Sequence, residues 1–129
     1  MAGELVTRAN KVENFTVDHT LTIDDSGGTF TNLGASGEVS FTLPVGCPVG
    51  AEFTFIVLAS QYLYVVMPPG ENKVSYPFIL LNARENSDIR ANTIGHTCTV
   101  VCRQSTVMDE QFIVKSLVGS TWATSIASG

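Results

Sequence analysis

With 129 residues and a formal net charge of −5, the chain has the length of one domain and can bury a core without disulfide or metal staples. Its seven basic residues form no cluster, which argues against binding nucleic acid by phosphate neutralisation. No apolar run nears the ~20 residues that span a bilayer, and no basic segment followed by an apolar one reads as a secretory signal.

Residues 1–14 are mixed and polar, with Leu5, Val6 and Val12 as their large apolar members. They read as an extended arm or first strand preceding a β domain over 15–129. Asn14-Phe15-Thr16 matches a glycosylation sequon, a common three-residue coincidence without a secretory signal. Strands are expected at 15–17 and at 20–24, the latter with Leu21 and Ile23 on one face. Asp24-Asp25-Ser26-Gly27-Gly28 and Gly34-Ala35-Ser36-Gly37 read as turns, where glycine supplies positive φ and Asp or Ser bonds back to the backbone. A short strand centres on Phe30 between them.

Val39, Phe41 and Leu43 alternate with Ser40 and Thr42, as do Phe53, Phe55 and Val57 with their neighbours. This is the period of a half-buried strand. The segment 44–50 holds Pro44, Pro48 and two glycines and is a loop. Residues 62–67 follow Ser60-Gln61 closely enough to suggest a hairpin with 52–59. A loop at 68–72 comes next, then an ambiguous stretch: 78–81 as strand or one helical turn, 82–88 as a turn of helix, 89–92 as a short strand. Residues 97–103, 111–117 and 121–126 read as strands, the last carrying Trp122. No long helix, heptad or repeat of 20–50 residues is visible. The fold class is therefore all-β, a single antiparallel sandwich or barrel, jelly-roll-like, with little helix.

The candidate chemistry is thin. Asp24-Asp25 with Glu38 could pair carboxylates, but turn formation explains the two aspartates. His19 and His96 lack zinc-ligand spacing. Cys98 or Cys47 with His96 as base lacks an orienting third group. The glycine-rich turns have no following helix or lysine for phosphate. No catalytic residue, metal or cofactor is assigned. The three cysteines, Cys47, Cys98 and Cys102, argue against a closed disulfide framework. Cys98 and Cys102 would lie about 13 Å apart on a strand at ~3.3 Å per residue, beyond the roughly 7 Å a disulfide allows. They read instead as an inward stripe with Val100.

The stretch LTIDDSGGTFTNLGASGEVSFTLP, followed by EFTFIVLASQYLYV, resembles a β-domain found in tailed-phage virion proteins, in tail fibres and in small capsid decoration (cement) proteins. The resemblance covers residues 20–66 well and the rest loosely, and it is carried by strands and turns without a chemical motif. It implies a non-enzymatic virion protein, made in the host cytoplasm, that sits on the capsid exterior as a homotrimer and binds the major capsid protein. The alternative it implies is a tail-fibre or head-fibre module that recognises a host-surface glycan. Charged residues make up 15% of the chain, against ~25% in ordinary soluble domains, so subunit contacts are expected to cover part of the surface. Leu5, Val6, Arg8 and Val12 of the arm, with Tyr62, Tyr64 and Trp122, are the candidate interface residues. Tyr62, Tyr64, Tyr76 and Trp122 would be the sugar-stacking aromatics of the alternative.

Overall fold

A computed structural model describes residues 11–44, 46–67, 78–79, 85–86, 88–106, 109–119 and 122–125. In chain order its strands are β1 (Val12–Asn14), β2 (His19–Thr20), β3 (Thr29–Thr31), β4 (Val39–Thr42), β5 (Glu52–Ile56), β6 (Leu63–Val66), β7 (Phe78–Ile79), β8 (Glu85–Asn86), β9 (Asp88–Ala91), β10 (Thr97–Thr106), β11 (Asp109–Val118) and β12 (Ala123–Ser125). One 3-10 turn, Ile23–Asp25, interrupts them. The protein is all-β, as its alternation predicts. Two open sheets form, one ordered β1-β3-β5-β10-β11-β7-β8 and the other β12-β9-β6-β4-β2.

The pairing corrects the antiparallel expectation. Strands β1 to β6 alternate between the two sheets, and within each sheet their neighbours run parallel: β1 with β3, β3 with β5, β2 with β4, β4 with β6. The first half of the chain thus winds as three stacked rungs, each placing one strand in each sheet. The rungs repeat structurally, although loops of unequal length hide any sequence period. Equivalent residues stack in register: Phe30 beside Phe55, Val39 beside Leu63, Phe41 beside Val65. The second half reverses direction. Strand β10 runs antiparallel on β5, and β9 antiparallel on β6, which ends the stack. Strands β10 and β11 form an antiparallel pair with two register irregularities.

Alternation dictates what each strand buries. Val39 and Phe41 face inward while Ser40 and Thr42 are half-buried on the other face, and β5 and β6 repeat the pattern. The core between the sheets is aromatic at the rungs. Phe41 of one sheet lies 6.1 Å from Phe30 and 5.4 Å from Phe55 of the other, ring centre to ring centre. Cys98, Val100 and Cys102 are all buried, so the inward stripe holds, and all three cysteines are free.

Four local expectations change. Where a turn of helix is expected within 82–88, Glu85–Asn86 is a strand, β8, paired antiparallel with β7. Residues 15–17 are not a strand; the first strand lies just before them, at Val12–Asn14. Residues 20–24 split into β2 and the 3-10 turn, so Leu21 is buried while Ile23 is exposed. Strands β5 and β6 are not a hairpin, because they lie in different sheets. Asn32 braces the crossing. Its fully buried amide Oδ1 accepts the N–H groups of Leu58 (2.7 Å) and Ala59 (2.9 Å), and its Nδ2 donates to the carbonyl of Gln61 (3.1 Å). That grip holds the β5–β6 connection where the chain crosses between sheets.

Candidate interaction surface

Among the described residues, three polar or charged side chains are buried: Asp25, Thr31 and Asn32. Each is bound within the chain. Thr31 Oγ1 donates to the Asn14 amide oxygen and accepts the Leu33 N–H. The Asp25 carboxylate accepts from Lys11 Nζ and, at 2.8 Å, from the Thr22 N–H. His19 Nε2 stands 4.0 Å from the same carboxylate, and its ring stacks on Phe15 at 4.2 Å. Burial pushes the Asp25 pKa up, but the Lys11 hydrogen bond, the Thr22 N–H and the nearby positive charge outweigh it, leaving the carboxyl below its ordinary range. Hydrogen bonding to Asp25 raises the Lys11 pKa in turn. The Asp24-Asp25 pair therefore makes a turn, as its residue types suggest, and Asp25 also ties the first rung to that turn. The burial of Asp25 and the role of Asn32 escaped sequence reading; Asn32 directly after a Thr-Phe-Thr strand and before Leu-Gly was the available signal.

The nucleophile and metal readings gain no geometry. Burial drives the Cys98 thiol pKa far above the ordinary thiol value, the opposite of an activated thiolate. The Cys102 thiol donates to the Cys47 carbonyl at 3.5 Å. His96 sits against Gly119. Among the described residues, no group of three His, Cys, Asp or Glu side chains could hold a metal ion, and no helix is long and apolar enough to cross a membrane.

Of the candidate interface residues, Leu5, Val6 and Arg8 lie outside the described residues, as does Tyr76. Val12 is exposed on β1, the edge of its sheet. Tyr62 is exposed and Tyr64 half-buried, on the outer face of the five-stranded sheet, since Leu63 and Val65 point inward. Their rings lie 5.9 Å apart. The Arg90 guanidinium lies 5.7 Å from the Tyr64 ring centre and is held by Asp88 at 3.3 Å. Burial raises the Asp88 pKa, with Arg90 partly offsetting it. Burial, then the Glu38 charge, raises that of Tyr64. Trp122 is not a free aromatic: it packs half-buried against the core, and its Nε1 donates to the Val118 carbonyl at 3.0 Å. The structure thus brings Tyr62 and Tyr64 together and commits Trp122 to packing. Compared with models of known protein families and with curated proteins, the sequence matches none.

Proposed function

We propose that the chain is a phage capsid decoration protein, a non-enzymatic homotrimer that docks on the outer shell and strengthens it against internal pressure. One observation carries the reading: every buried polar side chain among the described residues is bound by the chain itself, while large apolar side chains stand exposed outside. Such a molecule works by fitting surfaces, and added contact area across weak seams is what a cement supplies. The resemblance over residues 20–66 points the same way. Those residues hold most of the stacked rungs, and the finer antiparallel jelly-roll picture gives way here to a rung-built body. Heads prepared without the chain provide the test. The purified protein is expected to co-sediment with them at micromolar concentration and to raise their melting temperature. Heads that neither bind it nor melt higher would overturn the reading.

A second reading has one specific observation behind it. Tyr62 and Tyr64, with Arg90 braced by Asp88, form an aromatic and charged patch on an open sheet face. Such a patch suits stacking against a sugar ring, the task of a fibre module. Tyr62→Ala would then lower glycan affinity about tenfold, on the ~1.4 kcal/mol that a good stacking contact is worth. Equal binding by both proteins on a glycan array, or binding by neither, would remove this reading.

A further inference from the structure

Two of the three cysteines meet across the chain. Cys47 lies in the loop between β4 and β5, and Cys102 on β10. The ladder between β5 and β10 pairs Glu52 with Val101 and runs one residue further. The Cys102 N–H donates to the Ala51 carbonyl at 2.8 Å, and the Gly50 N–H to the Cys102 carbonyl at 2.8 Å. A turn closed by the Ala51 N–H on the Pro48 carbonyl folds the loop back on itself. The Cys102 thiol thereby reaches the Cys47 carbonyl at 3.5 Å. Both side chains are buried in the same core.

Distance selects this pair. Each of the two touching atoms is two bonds from its own Cα, so the Cα atoms stand at most roughly 9 Å apart, and any bend in that path brings them closer. A disulfide spans up to about 7 Å. The loop can supply the difference: Gly46 and Gly50 flank Cys47 with φ +79° and +98°, and nothing lies within 4 Å of where a Cβ would stand on either. Cys98 is on the same strand as Cys102, about 13 Å away at ~3.3 Å per residue, and opposite Phe55 rather than the loop. Access separates the cysteines as well. Gly46, Pro48, Val49 and Gly50 are exposed around Cys47, so opening of this loop uncovers it, while Cys98 stays between β5 and β11.

We propose that Cys47 and Cys102 form a redox pair, closed to a disulfide by a small-molecule disulfide such as glutathione disulfide. The Cys47 thiolate attacks one sulfur of that oxidant and expels a glutathione thiolate. The Cys102 thiolate then attacks the Cys47 sulfur of the mixed disulfide and expels the second. The protein gives up two thiol protons and two electrons, and the oxidant leaves as two glutathione thiols. The bond ties the Cys47 loop to β10 and closes a ring over β5 to β9, which removes conformations from the unfolded chain. The chain thus folds with thiols where glutathione is reduced and gains a staple where it meets an oxidant. The inference is independent of head or glycan binding.

Intact mass and peptide mapping of the full chain test it. Native protein is incubated with glutathione disulfide and then unfolded in excess iodoacetamide. The oxidised chain is expected to have lost two hydrogens and to take up one alkyl group, on Cys98, where the reduced chain takes up three. Digestion without reductant is expected to yield the Cys47 and Cys102 peptides joined. The urea midpoint is expected to rise on oxidation and to fall back with dithiothreitol. Cys98→Ala should keep the bond, and Cys47→Ala should lose it. Three alkylated cysteines, a linkage through Cys98 or between chains, a glutathione adduct that persists on Cys47, or a bond that leaves the midpoint unchanged would each overturn the proposal. The wild-type peptide map needs no variant, so a Cys47→Ala chain that folds poorly leaves the test intact.

Discussion

At the scale of single residues, two buried polar side chains decide how the chain is routed. Asn32 uses both lone pairs of its amide oxygen on the Leu58 and Ala59 N–H groups and donates to the Gln61 carbonyl. Alanine there would leave two backbone donors without their partner, each costing about 1–3 kcal/mol. Asn32→Ala is therefore expected to lower unfolding free energy by about 2–4 kcal/mol in a urea titration, and a loss below about 1 kcal/mol would mean water replaces the amide. Asp25 acts through charge. Its pKa is depressed in the folded state, so the stabilisation it provides is present above the ordinary carboxyl pKa of about 3.9 and is lost as pH falls through its lower folded value. Asp88 has the opposite sign: its folded pKa is raised, so protonation relieves a cost there as pH falls. In Asp25→Asn the acid-side loss is expected to shrink while the Asp88 contribution stays. Stability measured from pH 7 downward checks this, and parallel profiles for the two proteins would refute it.

At the scale of elements, connections carry the constraints that strands do not. Gly119 has φ +112°, and a Cβ there would come within 2.3–2.5 Å of the His96 ring. Gly119→Ala is expected to cost about 1–3 kcal/mol for the backbone conformation, plus the displacement of His96. Adding His96→Ala should recover the second part and not the first, a coupling that a double-mutant cycle in thermal unfolding reads directly. Strictly additive losses would show that the ring moves aside freely. These constraints explain what could be read in the sequence. The inward residues of β4, β5 and β10 were legible because a two-residue period marks a buried face whatever the strand's partner. Parallel or antiparallel pairing was not legible, since both share that period. The crossing from β5 to β6 is braced by Asn32, a side chain distant in sequence from the backbone it binds. The Asp24-Asp25 turn was legible from residue type, but the burial of Asp25 depends on Lys11 arriving from β1's margin. For the candidate surface, Tyr62 and Tyr64 could be paired by spacing alone. The packing of Trp122 depends on the Val118 carbonyl and could not be read.

At the scale of the whole molecule, the rungs differ in support. The first has β1 and β2 as the last strands of their sheets, three and two residues long. It is held by the Asp25 link to Lys11, by the Phe15 ring against Phe41 at 5.5 Å, and by a few backbone bonds. Among these the Phe15 N–H donates to the Thr31 carbonyl and the Leu21 N–H to that of Thr42. The third rung is flanked on both sides in both sheets, β5 by β3 and β10, β6 by β4 and β9. Its inward residues, Phe53, Phe55, Leu63 and Val65, have no exposure. Opening the first rung frees Leu21 and Phe15 from one margin of the core, whereas opening the third requires most of the core to come apart. Native-state hydrogen exchange should therefore separate them. The Phe15 and Leu21 amides are expected to exchange at a free energy below that of global unfolding and to respond weakly to added denaturant. The Thr54 and Cys102 amides, bonded to the carbonyls of Gly28 and Ala51, are expected to exchange at the global value with the full denaturant dependence. Asp25→Asn should lower protection at Phe15 and Leu21 first, because it cuts the tie between β1 and the 3-10 turn. If all four amides exchanged at one free energy in both proteins, the first rung would be an inseparable part of the core, and edge support would not set the order of opening.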